Sequence, residues 1–364
     1  MKELFNEICQ NASLIGACGI VIKNGLFQET MCYGYSNLET KTLVNPYSVF
    51  RIASVSKTIL ALALMKLVEE NKITINDDIS KHLGFKVRNP YYPNDVITIK
   101  MLLTQTSSIM DGPEEASLGY NGVNGTNLDA SLKSLLLEED LYYTKETYDK
   151  NPPGTTFIYA NFNCGILACI IEKVTNELFT EYIRRVVFLP LGLDASYRIG
   201  DIINQDIATL YYGTNEGIKV ARTKEQFLKG QYKIFPLGEN YRGPAGGLFI
   251  SMSDLARLGQ IFLNSGYPLL HKETISEMTK VHWQGKRSGS YQAKGLQMII
   301  LDDFGLRLYG HFGDAYGAKS YLLFNIEKQI AMVFITNGGY YKYQDSGICD
   351  IHEKLIKAFI NEYA

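Results

Sequence analysis

The sequence has little that would tie this protein to nucleic acid or to a membrane. Its 364 residues contain no basic run, and a net charge of −2 gives no sign of a polyanionic partner. The longest apolar run near the N-terminus, Leu14 to Ile22, is too short to span a bilayer. Acidic residues stand where a signal peptide would be basic, so the chain as written is predicted to be cytoplasmic, or exported if a leader has been removed.

The cysteines also lack the spacing of a metal site or a redox pair. There are six of them, with no Cys-x-x-Cys motif and no clustering with the five histidines. A glycine-rich loop of the kind that holds phosphates is absent too. We therefore predict reduced, mostly buried thiols, no metal and no organic cofactor. An apolar content of 46% and a charged content of 20% are ordinary for a globular protein.

The most informative stretch is Ser54-Val-Ser-Lys57, which leads into a strongly apolar segment from Thr58 to Glu70. Helical spacing with apolar residues on most faces predicts a buried helix. Ser54 and Lys57 would then lie near its N-terminal end, three residues apart on one face. A lysine whose pKa is lowered by burial can take the proton of a serine hydroxyl. Alone, the motif is weak, because Ser54 could be a helix cap and Lys57 an exposed first-turn residue.

Strands are predicted at both ends of the chain and helices in its middle. A hairpin turns at Lys23-Asn24-Gly25, and strands recur between Leu296 and Thr336. Helices are predicted from about Asn163 to Val174 and from about Gly347 to Ile360. This distribution predicts an α+β fold, in which an antiparallel sheet built from N- and C-terminal strands is flanked by helices and carries a mostly helical inserted region.

The same distribution sets the expected organisation. We predict one catalytic unit over residues 1–364, with a sheet subdomain at about 1–50 and 245–364 and a helical subdomain at about 51–244. A cleft would form where the sheet meets the insertion.

Three motifs follow one another in the chain: Ser54-x-x-Lys57, Tyr159-x-Asn161 and His311-Phe312-Gly313. Together they resemble the penicillin-recognising serine hydrolases, the superfamily of serine β-lactamases and D,D-peptidases. The Tyr-x-Asn form is similar to the class C β-lactamase branch, which includes esterases and D-amino-acid peptidases. The resemblance covers essentially the whole chain and implies a β-lactamase/transpeptidase-like fold.

The resemblance implies three catalytic residues. Ser54 would be the acylated nucleophile, and Lys57 its proton acceptor or the charge that keeps its neighbours deprotonated. Tyr159 would be a general base, with a pKa lowered by the nearby lysine cation.

The resemblance also implies four substrate-binding residues. Asn161 would orient the lysine and bind the substrate, and the backbone N–H of Asp314 would join that of Ser54 in an oxyanion hole. Gly313 would let the substrate approach its strand closely. His311 stands where many relatives have a lysine, and a mostly neutral histidine is less suited to a substrate carboxylate.

We therefore expect a serine hydrolase that forms an acyl-enzyme at Ser54 and acts on a small ester or a D-amino-acid amide or peptide. The activity would be of D,D-carboxypeptidase, D-aminopeptidase or esterase type. The alternative is a β-lactam-hydrolysing, penicillin-binding or sensor protein with little turnover, and a structural role with vestigial residues is a third possibility. The expected partner is a small-molecule or short-peptide substrate, with no nucleic acid and no membrane segment, and the oligomeric state stays open.

Overall fold

The structure is a computed structural model that describes residues 1–113, 117–138 and 140–364, without the side chains of residues 287 and 288. The α-helices in this part of the chain are α1 (Lys2–Asn11), α2 (Ser56–Glu69), α3 (Ile79–Leu83), α4 (Ile99–Thr104), α5 (Gly119–Asn124), α6 (Leu132–Leu136), α7 (Phe162–Thr175), α8 (Phe179–Ile183), α9 (Lys224–Lys229), α10 (Met252–Leu263), α11 (Lys272–Thr279) and α12 (Asp350–Tyr363). The strands are β1 (Gly16–Lys23), β2 (Leu26–Asn37), β3 (Thr42–Leu43), β4 (Val49–Arg51), β5 (Ala195–Ser196), β6 (Leu210–Thr214), β7 (Gly217–Arg222), β8 (Phe249–Ser251), β9 (Trp283–Ser288), β10 (Tyr291–Gly295), β11 (Met298–Leu301), β12 (Leu308–Ala315), β13 (Ala318–Asn325) and β14 (Ile330–Thr336).

The main sheet joins the two ends of the chain. Among the described residues it has nine strands in the order β3-β2-β1-β14-β13-β12-β11-β10-β9. Strand β1 pairs antiparallel with β2 on one side and with β14 on the other. The β1–β2 turn is the Asn-Gly pair expected from the sequence, with φ of 51° at Asn24 and 74° at Gly25, as a tight hairpin requires. The predicted α+β fold with a terminal-strand sheet is confirmed.

Helices cover both faces of this sheet because alternate strand residues are apolar on each side. On one face, α1 and α12 bury Phe5, Leu355 and Phe359 against strand residues that include Val21 and Phe334. On the other face, α10 packs across β1, β13 and β14. The strands are therefore held rigidly from both sides, which fixes the positions of side chains along β12.

Helix α2 lies in the larger of the apolar cores. Every residue from Ser56 to Leu67 except Lys66 is buried, in agreement with a helix that is apolar on most faces. The helix begins at Ser56, two residues before the predicted start, and packs against α7. Its N-terminus therefore lies inside the molecule.

The middle of the chain contains strands as well as helices. Besides α2 to α9, it contains β5, which joins β4 and β8 in a small sheet, and the β6–β7 hairpin at residues 210–222. This hairpin carries Arg222, which lies over the ring of Tyr316 just beyond the end of β12. No helix in the described part of the chain is long and apolar enough to cross a membrane.

Candidate active site

Ser54 lies in a short 3₁₀ turn, Ala53–Val55, between β4 and α2. The turn is held from two directions: Ser320 donates a hydrogen bond to the Ile52 carbonyl at 2.8 Å, and Ser56 donates one to the Ala53 carbonyl at 2.6 Å. Ala53 has a φ of 48°, a left-handed conformation that non-glycine residues seldom adopt. A strained residue next to a serine hydroxyl is typical of a functional turn.

Two side chains reach the Ser54 hydroxyl. Lys57 Nζ donates to Ser54 Oγ at 2.9 Å, and the Tyr159 hydroxyl lies 2.8 Å from the same oxygen. Tyr159 comes from the loop that precedes α7, 105 residues further along the chain. The structure thus brings the first two predicted motifs together at one atom.

Lys57 is fully buried and uses all three of its donors. Besides Ser54 Oγ, its Nζ contacts Asn161 Oδ1 at 2.9 Å and the Ala245 carbonyl at 2.8 Å. Burial, the largest effect, lowers the pKa of Lys57 to about 8. A neutral amine would keep two N–H donors for the two carbonyl oxygens, which leaves its lone pair facing Ser54.

The Tyr159 phenol differs from what the sequence suggested. Burial raises its pKa above the ordinary value, and the hydrogen bond with Ser54 opposes this only in part. The nearby Lys57 Nζ, 4.9 Å from the ring centre, does not reverse the direction. The prediction of a lowered pKa for Tyr159 was therefore wrong, because desolvation of a phenolate outweighs the nearby cation. Tyr159 is a neutral proton donor in this geometry.

Asp111 is a site residue that the sequence did not reveal. Its carboxylate accepts hydrogen bonds from the backbone and side-chain nitrogens of Asn161, at 3.0 and 3.1 Å, and from Phe162 N at 2.8 Å. This fixes the amide of Asn161 with its oxygen towards Lys57. The carboxylate also sits at the N-terminus of α7, where a negative charge is favourable. Nothing in its sequence context, a loop Asp-Gly-Pro, distinguishes it from a turn residue.

The third motif lies on β12 beside the Ser54 turn. A methyl group on Gly313 would stand 2.5 Å from the Ile52 carbonyl oxygen and 3.3 Å from Ala53 Cβ, so only glycine fits there. The exposed side chain of Asp314 is ion-paired with Lys319 and accepts a hydrogen bond from Tyr343 at 2.7 Å. His311 is fully buried, with Nδ1 2.5 Å from the Phe312 carbonyl, and is not among the residues that line the cleft. Substrate contact by His311 stays a prediction.

Lys294, on β10, is a second buried lysine near the site. Its Nζ lies 5.2 Å from the Tyr291 ring centre, and Tyr291 in turn packs against Tyr159 with ring centres 5.2 Å apart. Neither Lys294 Nζ nor His311 Nε2 has a hydrogen-bond partner among the described residues. Burial, with Lys57 as the next cause, lowers the pKa of Lys294 to about 7. No motif in the sequence distinguishes this lysine.

Ser54 opens onto a cleft of about 930 Å³. Tyr159 and Asn161 line it from the α7 side, and Asp314 to Tyr316 line it from the end of β12. A volume of this size accommodates a small ester or a short peptide. Among the described residues, no group of three His, Cys, Asp or Glu side chains is placed to hold a metal ion.

The fold is β-lactamase/transpeptidase-like, and comparison with known sequences gives the family. A sequence model of the β-lactamase family matches residues 2–348, and the chain belongs to this family.

Individual relatives are more distant. The chain is 32% identical to Protein flp of Staphylococcus aureus (strain MRSA252) over 184 residues, which is 50% of this chain and 35% of that protein. The chain thus spans about a third of that relative's length. Among solved structures, an octameric penicillin-binding protein homologue from Pyrococcus abyssi superposes with a TM-score of 0.77 at 25% identity, over 98% of this chain and 75% of that one. A D-amino acid amidase from Ochrobactrum anthropi SV3 has a TM-score of 0.75 at 17% identity, over 99% of both chains, and shares the fold.

Proposed function

We propose that this protein is a serine hydrolase that forms an acyl-enzyme at Ser54 and transfers the acyl group to water. The observation that carries the proposal is the position of Ser54 Oγ, 2.9 Å from a buried lysine nitrogen and 2.8 Å from a phenol oxygen. A protein that only binds its ligand does not need a lysine and a phenol beside the Ser54 hydroxyl, because these two groups matter only when the hydroxyl proton is transferred.

Acylation begins with Lys57 in its neutral form. As Ser54 Oγ attacks the substrate carbonyl carbon, its proton passes to Lys57 Nζ, whose lone pair faces it. The carbonyl oxygen becomes an oxyanion, for which we propose the backbone N–H groups of Ser54 and Asp314 as donors. Gly313 supports this placement, because β12 can approach the Ser54 turn closely only without a side chain there.

Collapse of the tetrahedral intermediate breaks the bond to the leaving group. Tyr159 is neutral and 2.8 Å from Ser54 Oγ, so its O–H can protonate the departing oxygen or nitrogen. The proton that Lys57 took from Ser54 then passes to the Tyr159 phenolate, so that both groups are neutral again before deacylation. In deacylation the same groups act in reverse, with water in place of the leaving group.

The family and the size of the cleft support a broad class of substrate. A small ester or a D-amino-acid amide or peptide fits the volume, and D,D-carboxypeptidase, D-aminopeptidase and esterase activities all use this chemistry. The likeness to the Ochrobactrum anthropi amidase supports an amide substrate through the fold alone. Penicillin binding with little turnover is the alternative.

Intact mass over time tests the proposal. The wild-type protein, Ser54→Ala and the control Ser276→Ala, an exposed serine on α11, are mixed with 4-nitrophenyl butyrate, a D-Ala-D-Ala peptide or benzylpenicillin. Product formation is followed in parallel. We expect turnover of at least one of the first two compounds and an acyl adduct, both lost only in Ser54→Ala.

Two results would count against the proposal. Full hydrolysis by Ser54→Ala would exclude Ser54 as the nucleophile. A long-lived penicillin adduct on Ser54, with no turnover of ester or peptide, would identify a penicillin-binding or sensor protein instead.

A further inference from the structure

The cleft beside Ser54 is strongly cationic in a chain whose net charge is −2. Among the described residues, two carboxylates line it, Glu172 and Asp314, against six basic side chains: Arg51, Arg198, Arg222, Lys229, Lys233 and Arg242. Asp314 is already paired with Lys319, and Glu172 accepts hydrogen bonds from Phe179, Gly238 and Asn240. None of the six basic side chains forms an ion pair with a carboxylate in the described part of the chain. Within that part, no carboxylate therefore offsets their charge.

Of these six residues, Arg51 is the closest to Ser54 along the chain. A methyl group placed on Gly246 would lie 3.6 Å from Arg51 Nη2 and 3.4 Å from the Ala53 carbonyl carbon, so the guanidinium lies beside the Ser54 turn. It is half-buried and makes no hydrogen bond or ion pair with another described residue. Arg242, by contrast, donates to the carbonyls of Val123 and Leu128 and is held in place structurally.

Arg51 and Arg222 share one aromatic ring. The Tyr316 ring centre is 5.1 Å from Cζ of Arg51 and 4.9 Å from Cζ of Arg222. Each cation gains from the ring, while the two like charges repel each other. Arg222 comes from the β6–β7 hairpin, so two separate segments converge on this point.

Tyr316 occupies a strained position. Ala315 pairs with Ala318, which leaves Tyr316 and Gly317 as a two-residue turn with φ of 54° and 81°. Such turns favour Asn, Asp or Gly at the first position, and a large aromatic residue there is unfavourable. The turn nevertheless places the Tyr316 ring against both guanidinium groups.

We infer that the substrate of this enzyme carries an anionic group, a carboxylate, in its acyl part, and that Arg51 and Arg222 bind it. The inference rests on the proposed acyl-enzyme at Ser54. A guanidinium offers paired N–H donors that match the two oxygens of a carboxylate. A free α-ammonium in the acyl part, as a D-aminopeptidase substrate would have, meets repulsion in the same place.

The roles proposed above for Tyr159 and the Asp314 N–H indicate on which side of the cleft the acyl part of the substrate would lie. Tyr159 protonates the leaving group, which therefore lies towards Tyr159 and α7. The acyl part extends the other way from the Asp314 N–H, along the end of β12 towards Tyr316. That end of the strand is where Arg51 and Arg222 lie.

Matched esters test the inference. The mono-4-nitrophenyl ester of adipic acid has a free carboxylate, and its methyl ester has the same chain without the charge. We expect kcat/KM to be about 10- to 100-fold higher for the acid. Arg51→Gln or Arg222→Gln should lower kcat/KM for the acid much more than for the methyl ester, and so remove most of this preference. Arg307→Gln, an exposed arginine paired with Asp302 outside the cleft, is the control and should keep the preference.

Binding to Ser54→Ala separates this inference from the proposed function. By calorimetry, adipate should bind about tenfold or more tightly than neutral adipamide, and Arg51→Gln in that background should abolish the difference. Equal binding of the two compounds would overturn the anion site, even if the enzyme hydrolyses the methyl ester. Tight, Arg51-dependent adipate binding, together with no Ser54 adduct when the wild-type protein is mixed with the nitrophenyl ester, would instead support the site and reject the proposed hydrolase. A preference for a carboxylate only on the leaving group would overturn the assignment to the acyl part.

Discussion

The carboxylate of Asp111 accepts hydrogen bonds from both nitrogens of Asn161, at 3.0 and 3.1 Å, and so determines which way the Asn161 amide points. The amide oxygen accepts a hydrogen bond from Lys57 Nζ at 2.9 Å, so that a neutral amine would turn its lone pair towards Ser54. Asp111 is therefore connected to Ser54 through two intermediate residues. We propose that it is a positioning residue.

Asp111→Asn should impair acylation more than folding. Its amide cannot accept all three hydrogen bonds, so Asn161 loses its fixed orientation. We expect kcat/KM for a neutral ester to fall about 10- to 100-fold. Loss of the negative charge should also lower the pKa of Lys57 further, because Asp111 is one of the groups that raise it. The measurement is kcat/KM as a function of pH.

The matched control is Asp78→Asn, which removes the ion pair between Asp78 and Arg88, and neither residue lines the cleft. Asp78 also accepts a hydrogen bond from Ser80 N at 2.9 Å at the start of α3, which an asparagine can keep. The replacement should lower the thermal midpoint and leave the pH profile unchanged. An identical pH profile for Asp111→Asn and the wild type would contradict the role given to Asp111.

Acylation should depend on pH through Lys57. The amine accepts the proton of Ser54 only when it is neutral, and its pKa in the folded protein is about 8. The rate should therefore rise about tenfold per pH unit below that value and level off above it. Lys57→Met should remove this inflection and reduce the rate about 100-fold or more. Stopped-flow or burst measurements with a neutral activated ester over pH 6 to 10 would give the profile.

Lys66→Met is the control for that experiment. Lys66 lies on the same helix, with its Nζ directed to the Leu269 carbonyl and away from Ser54. Its replacement should leave both the rate and the inflection as they are. A rate that falls with rising pH through the same range would show that a protonated group, and not neutral Lys57, limits acylation.

Lys294→Met should stabilise the protein at neutral pH. The lysine has a pKa of about 7 when folded and about 10.4 when unfolded. Between these two pKa values the unfolded state binds more protons than the folded state. In the wild type, Lys294 therefore makes the free energy of unfolding rise with pH. Below about 7 the ammonium is buried without a partner and the penalty is complete. We expect a gain of about 1–3 kcal/mol at pH 7.

Urea unfolding at pH 7 and pH 9 would measure this effect. The gain from Lys294→Met should shrink at pH 9, where the wild-type amine is already neutral. Lys280→Met, an exposed lysine near the end of α11, should change stability little at either pH. Destabilisation by Lys294→Met of equal size at both pH values would mean that its packing against Tyr291 matters more than its charge.

Much of the architecture was predictable because it depends on local patterns. The apolar spacing from Thr58 onwards predicted α2 to within two residues at its start, and Asn24-Gly25 predicted the β1–β2 turn. The order of the three motifs indicated the family that the comparison establishes. The division into subdomains at about 51–244 and the cellular location stay predictions.

The electrostatics of the site were less predictable. The motifs placed Lys57 near Tyr159, and this proximity alone led us to expect a lowered pKa for the Tyr159 phenol. The sequence does not show how thoroughly the ring is buried, and burial decides the direction. The partners of Asn161 and of Arg51 were hidden for a similar reason, since Asp111, Arg222 and Tyr316 carry no motif of their own.

By itself, the sequence determined the elements, the family and the side chains that meet at Ser54, because helical periodicity, turn chemistry and short motifs are properties of neighbouring residues. Tertiary structure alone decided which of those groups are charged or neutral and which lie in the cleft. It buries Lys57, Lys294 and His311. It also brings Arg51 near Arg222, which lies 171 positions further along the chain. A pKa depends on the solvent and charges in three dimensions around a group, and no local pattern encodes them.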